Sequence, residues 1–138
     1  MLTGPKAVLI RGPAGAGKSH LAWELIQAAA QGAWPFARLV ADDRAHVEAR
    51  AGRLLVRPAQ ALAGLLEIRG LGIRRLHFEP VAVVGLVVDL AAADAERCPA
   101  AEAAKTSIGG VFLPRLAVAA GAPASALVLA YWGTSPRS

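Results

Sequence analysis

The sequence predicts an α/β domain, and three stretches carry that prediction. The first is an apolar run, Ala7-Val8-Leu9-Ile10, that leads through a glycine-rich loop into Leu21-Ala22-Trp23-Glu24-Leu25-Ile26. Buried strand, loop and helix in that order form the opening unit of an α/β sheet. The second is a pair of short alternating segments, 46–50 and 53–57, separated by Ala51-Gly52, which reads as a β-hairpin. The third is the apolar run from Val81 to Leu90, long enough for a further strand.

In chain order, residues 7–11 are expected as a buried strand. The loop behind them, Gly12-Pro13-Ala14-Gly15-Ala16-Gly17-Lys18-Ser19, matches G-x-x-x-x-G-K-[ST] at every fixed position. Glycines let successive backbone N–H groups turn inward on phosphate oxygens, and the helix that follows adds the positive end of its dipole. Gly12, Pro13, Ala14, Gly15, Ala16 and Gly17 would form the cradle. Lys18 would reach the terminal phosphates, and the Ser19 hydroxyl would bind Mg2+. Nucleoside triphosphate binding is therefore the first functional expectation.

A helix is expected from about Lys18 to Gln31, with Leu21, Leu25, Ala28 and Ala29 on its apolar stripe and Gly32 ending it. Trp34-Pro35-Phe36 is a short connection, and Arg38-Leu39-Val40-Ala41 a second strand that ends in Asp42-Asp43. After the hairpin, Pro58 opens a short helical turn over 59–65. Glu67-Ile68-Arg69-Gly70-Leu71-Gly72-Ile73 reads as a loop or strand entry, because its glycines disfavour helix. Strands are expected over 74–78 and 81–90, a surface loop over 91–110 and a last strand over 111–117. A C-terminal helix over 122–132 would carry Pro123 in its first turn, followed by a polar tail.

Length and composition bound the function. A chain of 138 residues is expected to be one domain, residues 1–138, with no linker or internal repeat. Hydrophobic residues make up 55% but aromatics only 5%, so the core must be built from Ala, Val, Leu and Ile. The longest apolar stretch, 81–93, is interrupted by Asp89 and is too short to span a bilayer. The N-terminus lacks a signal-peptide layout, and a single cysteine, Cys98, rules out an internal disulfide. These features favour a cytoplasmic protein with no membrane partner. The net charge of +5 comes from scattered arginines without a basic run or interleaved aromatics, which argues against nucleic acid.

Phosphoryl transfer needs a metal ligand, a carboxylate beside the acceptor and positive charge for the transition state, in addition to the cradle. Asp42-Asp43 follows the next expected strand, and neighbouring strands bring their carboxyl ends together. Adjacent side chains on a strand point in opposite directions, so one of the pair can face metal and phosphates while the other faces acceptor or structure. Glu67 offers a further carboxylate for Mg2+, which takes one or two alongside phosphates and water.

The combination of Gly12–Ser19, Arg38-Leu39-Val40-Ala41-Asp42-Asp43 and Leu65-Leu66-Glu67-Ile68-Arg69-Gly70-Leu71-Gly72-Ile73 resembles the catalytic domain of HPr kinase/phosphorylase, in particular its short alphaproteobacterial members. The motifs stand in the family's order and cover about residues 7–75. The resemblance implies a P-loop domain akin to phosphoenolpyruvate carboxykinase, with a mixed β-sheet and few helices, commonly assembled as a homo-oligomer, the hexamer. It implies transfer of phosphate from ATP, or in many members pyrophosphate, to a serine of an HPr-type phosphocarrier of the phosphotransferase system. On this reading Asp43 takes the serine proton and Lys18 stabilises the transferring group. Ser19, Glu67 and Asp42 serve Mg2+, and Arg69 belongs to the signature loop near the transfer site. The family's catalytic histidine just before the P-loop strand has no counterpart here, since no histidine precedes Gly12; His20 and His46 stand elsewhere. Pro114-Arg115 is the candidate for the family's arginine after a strand. Kinase activity rather than phosphorolysis is expected, the other reading being a nucleotide-binding sensor.

Overall fold

The apolar run that the sequence marks most strongly becomes the strand on which the sheet is assembled. The computed structural model describes residues 7–31, 46–76, 78, 80–96 and 99–134. The expected connection Trp34-Pro35-Phe36, the strand over 38–41, the pair Asp42-Asp43, and Cys98 lie outside the described residues. In chain order the elements are β1 (Ala7–Arg11), α1 (Lys18–Ala30), β2 (His46–Arg50), β3 (Arg53–Arg57), a 3₁₀ turn at Gln60–Leu62, β4 (Leu65–Ile68), β5 (Gly72–Arg75), β6 (Ala82–Leu90), β7 (Lys105–Ile108), β8 (Val111–Val118) and α2 (Ala124–Gly133).

Strand β6 pairs in parallel with β1 and with β8. Both partners use Val87–Asp89, so they flank β6 on opposite sides. At its start β6 pairs antiparallel with β3, through Leu55 opposite Val83 and Val56 opposite Ala82. Strands β2 and β7 extend the sheet antiparallel to β3 and β8. The result is the mixed sheet with few helices that the sequence led us to expect, with β4 and β5 forming a separate two-stranded ribbon.

A strand covered on both faces reads as a nearly continuous apolar run, which is why 82–90 shows no polar alternation. Leu86, Val88 and Leu90 point one way and pack with Leu21 of α1, Val118 of β8 and Val128 of α2. Val84 and Val87 belong to the other cluster, with Leu54, Val56, Val111 and Leu113. Each fully buried side chain of this kind contributes about 1.5–3 kcal/mol relative to exposure. The hairpin turn Ala51-Gly52 has positive φ at both residues, 53° and 76°, the geometry whose twist matches two antiparallel strands.

Four expectations are corrected. The surface loop over 91–110 contains β7, four residues that form a hairpin with β8 around Gly109-Gly110. Its sequence, Lys105-Thr106-Ser107-Ile108, is half exposed and polar, so alternation alone did not separate it from the alanine-rich loop before it. The helical turn expected over 59–65 is confined to Gln60–Leu62, because Gly64 takes a left-handed φ of 77° and its carbonyl accepts from Leu76 N–H at 2.8 Å. The strand expected over 74–78 starts earlier, at Gly72, and ends at Arg75. Helix α2 begins at Ala124, so Pro123 caps it from outside rather than sitting in its first turn.

Leu86→Ala removes a fully buried side chain from the central strand, at 0% exposure, and should destabilise the fold by about 2–5 kcal/mol in urea denaturation. Phe112→Ser, at a position 80% exposed, should stay within about 0.5 kcal/mol of the parent.

Candidate phosphate-binding and transfer site

Parallel pairing of β1 with β6 carries the Gly12–Ser19 loop to the carboxyl end of the sheet, where α/β folds place their ligands. The loop closes tightly on β6: a Cβ at Gly12 would lie 3.2 Å from Ala16 Cβ and from Leu90 Cβ and O. Within the loop, Ala16 N–H donates to Pro13 O at 3.1 Å and forms its inner turn. Gly17 is the N-cap of α1 with a left-handed φ of 94°, and it offers no side chain to the helix's first N–H groups. The first turn of α1 has no acidic residue, so its positive end is not neutralised from within. Lys18 Nζ donates to Gly12 O at 2.7 Å, which folds the ammonium back over the loop. An uncapped helix start, a glycine-built turn and a lysine head gathered on one loop fit a triphosphate. Gly12, Pro13, Ala14, Gly15, Ala16, Gly17 and Lys18 would hold its oxygens. Ser19, on the first turn of α1, is placed with them.

The other expected residues are distributed differently. Glu67 lies on β4 opposite Ile73 of β5, with an exposed side chain, and Arg69 is exposed in the turn between those strands. Strand β4 packs beside α1, which brings this ribbon to the helix that the loop opens. The ribbon and the loop are thus on separate sheets with α1 between their roles. Asp42 and Asp43 lie outside the described residues. Among the described residues no three His, Cys, Asp or Glu side chains converge, so a divalent ion here would need substrate phosphates and water among its ligands. His20 is 75% exposed and faces Glu24 one helical turn on, Nε2 to Oε1 3.5 Å.

In the sequence Asp89 is only a break in an apolar run; in the structure it joins two arginines. Arg11, the residue immediately before Gly12, donates from Nε to Asp89 Oδ1 at 2.7 Å and from Nη2 to Oδ2 at 2.8 Å. From the other side, Arg115 Nε donates to Asp89 Oδ2 at 2.6 Å. Arg115 also grips Asp94, Nη1 to Oδ2 at 2.8 Å and Nη2 to Oδ1 at 3.0 Å, and donates to Ala103 O at 3.0 Å. Hydrogen bonding from Arg11, helped by Arg115 and opposed by partial burial, holds the Asp89 carboxyl below the usual carboxylate range. Hydrogen bonds to Asp94 and then Asp89 hold the Arg115 guanidinium above its ordinary value. The available signal was register: a carboxylate one residue from the end of a strand that pairs with the P-loop strand, with an arginine directly before the loop.

Replacing Asp89 tests the clamp. Its folded pKa is depressed, so its stabilisation is present above the ordinary value of about 4 and is lost as pH falls through the lower folded value. Asp89→Asn should therefore be less stable than the parent by about 1–3 kcal/mol at pH 7, scaled for a partly solvated site. The gap should narrow below about pH 4, where the parent loses the same charge. Thermal unfolding of both proteins from pH 3 to 8 checks this.

With the geometry in hand, similarity to known proteins gives the site its context. Residues 5–116 match the family described as HPr Serine kinase C-terminal domain. HPr kinase/phosphorylase proteins from Streptococcus thermophilus and Limosilactobacillus reuteri are 49% and 48% identical to this chain over 67 residues, and one from Clostridium tetani 41% over 66. Each of these matches covers 48% of this chain, which spans 19% of the relative's length. The solved structure of the HPr(Ser) kinase/phosphatase from Coxiella burnetii superposes with a TM-score of 0.68 at 22% identity, covering 90% of this chain and 83% of that one. That likeness establishes the fold, and the family match over 5–116 establishes kinship: the chain belongs to the HPr serine kinase C-terminal domain family.

Proposed function

We propose that this chain is a single P-loop kinase domain, residues 1–138, that uses ATP and Mg2+ to phosphorylate a serine of an HPr-type phosphocarrier. The observation that carries the reading is the loop itself: Lys18 turned onto Gly12 O at the uncapped start of α1, inside a chain of this family. On this reading the serine Oγ attacks the terminal phosphorus, the bond to the bridging oxygen breaks, and ADP leaves. The serine proton passes to the Asp43 carboxylate. Lys18 and the loop N–H groups stabilise the charge that spreads over the transferring phosphoryl oxygens. Mg2+ neutralises phosphate charge when bound, with Ser19, Glu67 and Asp42 as the residues proposed to hold it. Arg69 lies on the same ribbon as Glu67 and is proposed to meet the incoming acceptor. Action in the cytoplasm and assembly with further copies of the chain belong to the same proposal.

Incubation of the purified chain with Mg2+, labelled ATP and an HPr-type protein should place label on serine. Lys18→Ala should lower the rate by about 100-fold or more. Asp43→Asn should abolish transfer while ATP still binds, since the carboxylate is assigned to the proton and not to the cradle. Undiminished transfer by Asp43→Asn would remove that residue from the base role, and ATP binding without any transfer would favour a sensor.

A further inference from the structure

A cleft of about 340 Å³ lies directly beside the phosphate loop and shares Ala16 and Gly17 with it. Its floor is the end of β6, at Leu90 and Ala91, together with Val118 at the end of β8. One wall is formed by the first turns of α1, with His20, Leu21 and Glu24; the other is the segment from β8 into the start of α2, including Ala120, Ala122 and Ser125. The walls are tied in place by backbone. Ala92 N–H donates to Val118 O at 2.9 Å, and Ala122 N–H donates to Ala119 O at 3.0 Å. Ala91 is one of the described non-glycine residues with a left-handed φ, 53°, a strained turn that leads the chain out of β6 beneath the cleft.

We propose that this cleft receives the nucleoside of the triphosphate donor, an inference that rests on the loop being a triphosphate cradle. A ligand whose phosphates sit on the loop has its other end within reach of a cavity that begins at Ala16 and Gly17. The volume lies within the range of ligand pockets, and the lining is mostly small and apolar, suited to a flat ring. Polar side chains are confined to His20, Glu24 and Ser125. The Glu24 carboxylate is a natural acceptor for ribose hydroxyls, the role acidic residues take in dinucleotide sites. With so few side-chain donors and acceptors facing a base, the cleft grips the nucleoside by shape. ATP and GTP should bind within about tenfold of one another, because discrimination between bases needs dedicated hydrogen-bonding groups.

Calorimetric titration of the chain in Mg2+ with ATP, GTP and inorganic tripolyphosphate tests this. Ala120 and Ser125 line the cleft outside the cradle, and Ala120 is exposed, so Ala120→Trp fills the space without burying a new group in the core. The expected result is that Ala120→Trp weakens ATP and GTP by about tenfold or more and leaves tripolyphosphate within about twofold. Ser125→Tyr, a second filling variant, should do the same, and unfolding curves confirm that both variants are folded. Equal loss for all three ligands, or no loss for any, would overturn the assignment. So would a parent protein that binds tripolyphosphate as tightly as ATP, a result that leaves the cradle intact. Failure of the parent to bind any of the three would overturn the cradle itself, and the cleft assignment with it.

Discussion

Asp89 carries one negative charge near the end of the central strand, and guanidinium groups hold it from both sides. Arg11 reaches it from the end of β1 and Arg115 from within β8, so one carboxylate ties three neighbouring parallel strands together. Charge-assisted, bidentate contacts of this kind fix orientation as well as adding energy. Their position matters most at Arg11, because the next residue is Gly12 and the phosphate loop begins there. The clamp therefore sets where the loop starts, and Arg115 extends the same constraint to Asp94 and to Ala103 O.

Strand alternation divides the labour between the two faces of the sheet. Leu86, Val88 and Leu90 face the helices, where α1, α2 and the phosphate loop lie, and Leu90 supplies the floor of the adjoining cleft. Val87 and Asp89 face the other way: Val87 toward the second apolar cluster, Asp89 toward the arginines. The same nine-residue strand thus buries apolar surface against the helices and seats the ion pairs on its reverse. Neither the cradle nor the cleft needs a polar core. Among the described residues no charged or polar side chain is fully buried.

Local signals made most of this architecture legible. The G-x-x-x-x-G-K-[ST] spacing placed the loop between β1 and α1, the Ala51-Gly52 turn placed the first hairpin, and the run from Val81 placed β6. What escaped was non-local or weakly patterned. Strand β7 is four residues with mixed polarity, stabilised by pairing with β8 rather than by its own propensity. The glycines of Glu67–Ile73 leave a loop and a strand entry open; in the fold the stretch joins two strands, and Gly70 and Gly72 shape the turn of a ribbon, with φ of 92° and 86°. Asp89, Arg11 and Arg115 are separated by 78 and 26 residues, and only the register of three strands brings them together. The cleft has the same character. Apart from Ala16 and Gly17, which it shares with the phosphate loop, its alanines and Gly121 carry no motif, and its walls exist only because the ends of β6 and β8 meet the start of α1.

The central claim is that the carboxyl end of this sheet is where the triphosphate sits. Amide hydrogen exchange with and without Mg2+ and ATP tests it most directly, since exposed loop amides exchange freely until a ligand accepts their hydrogen bonds. Protection concentrated in 12–21, with weaker protection at 90–92 and 118–125, is the expected pattern. Unchanged exchange across 12–21 while ATP protects another part of the chain would contradict the account.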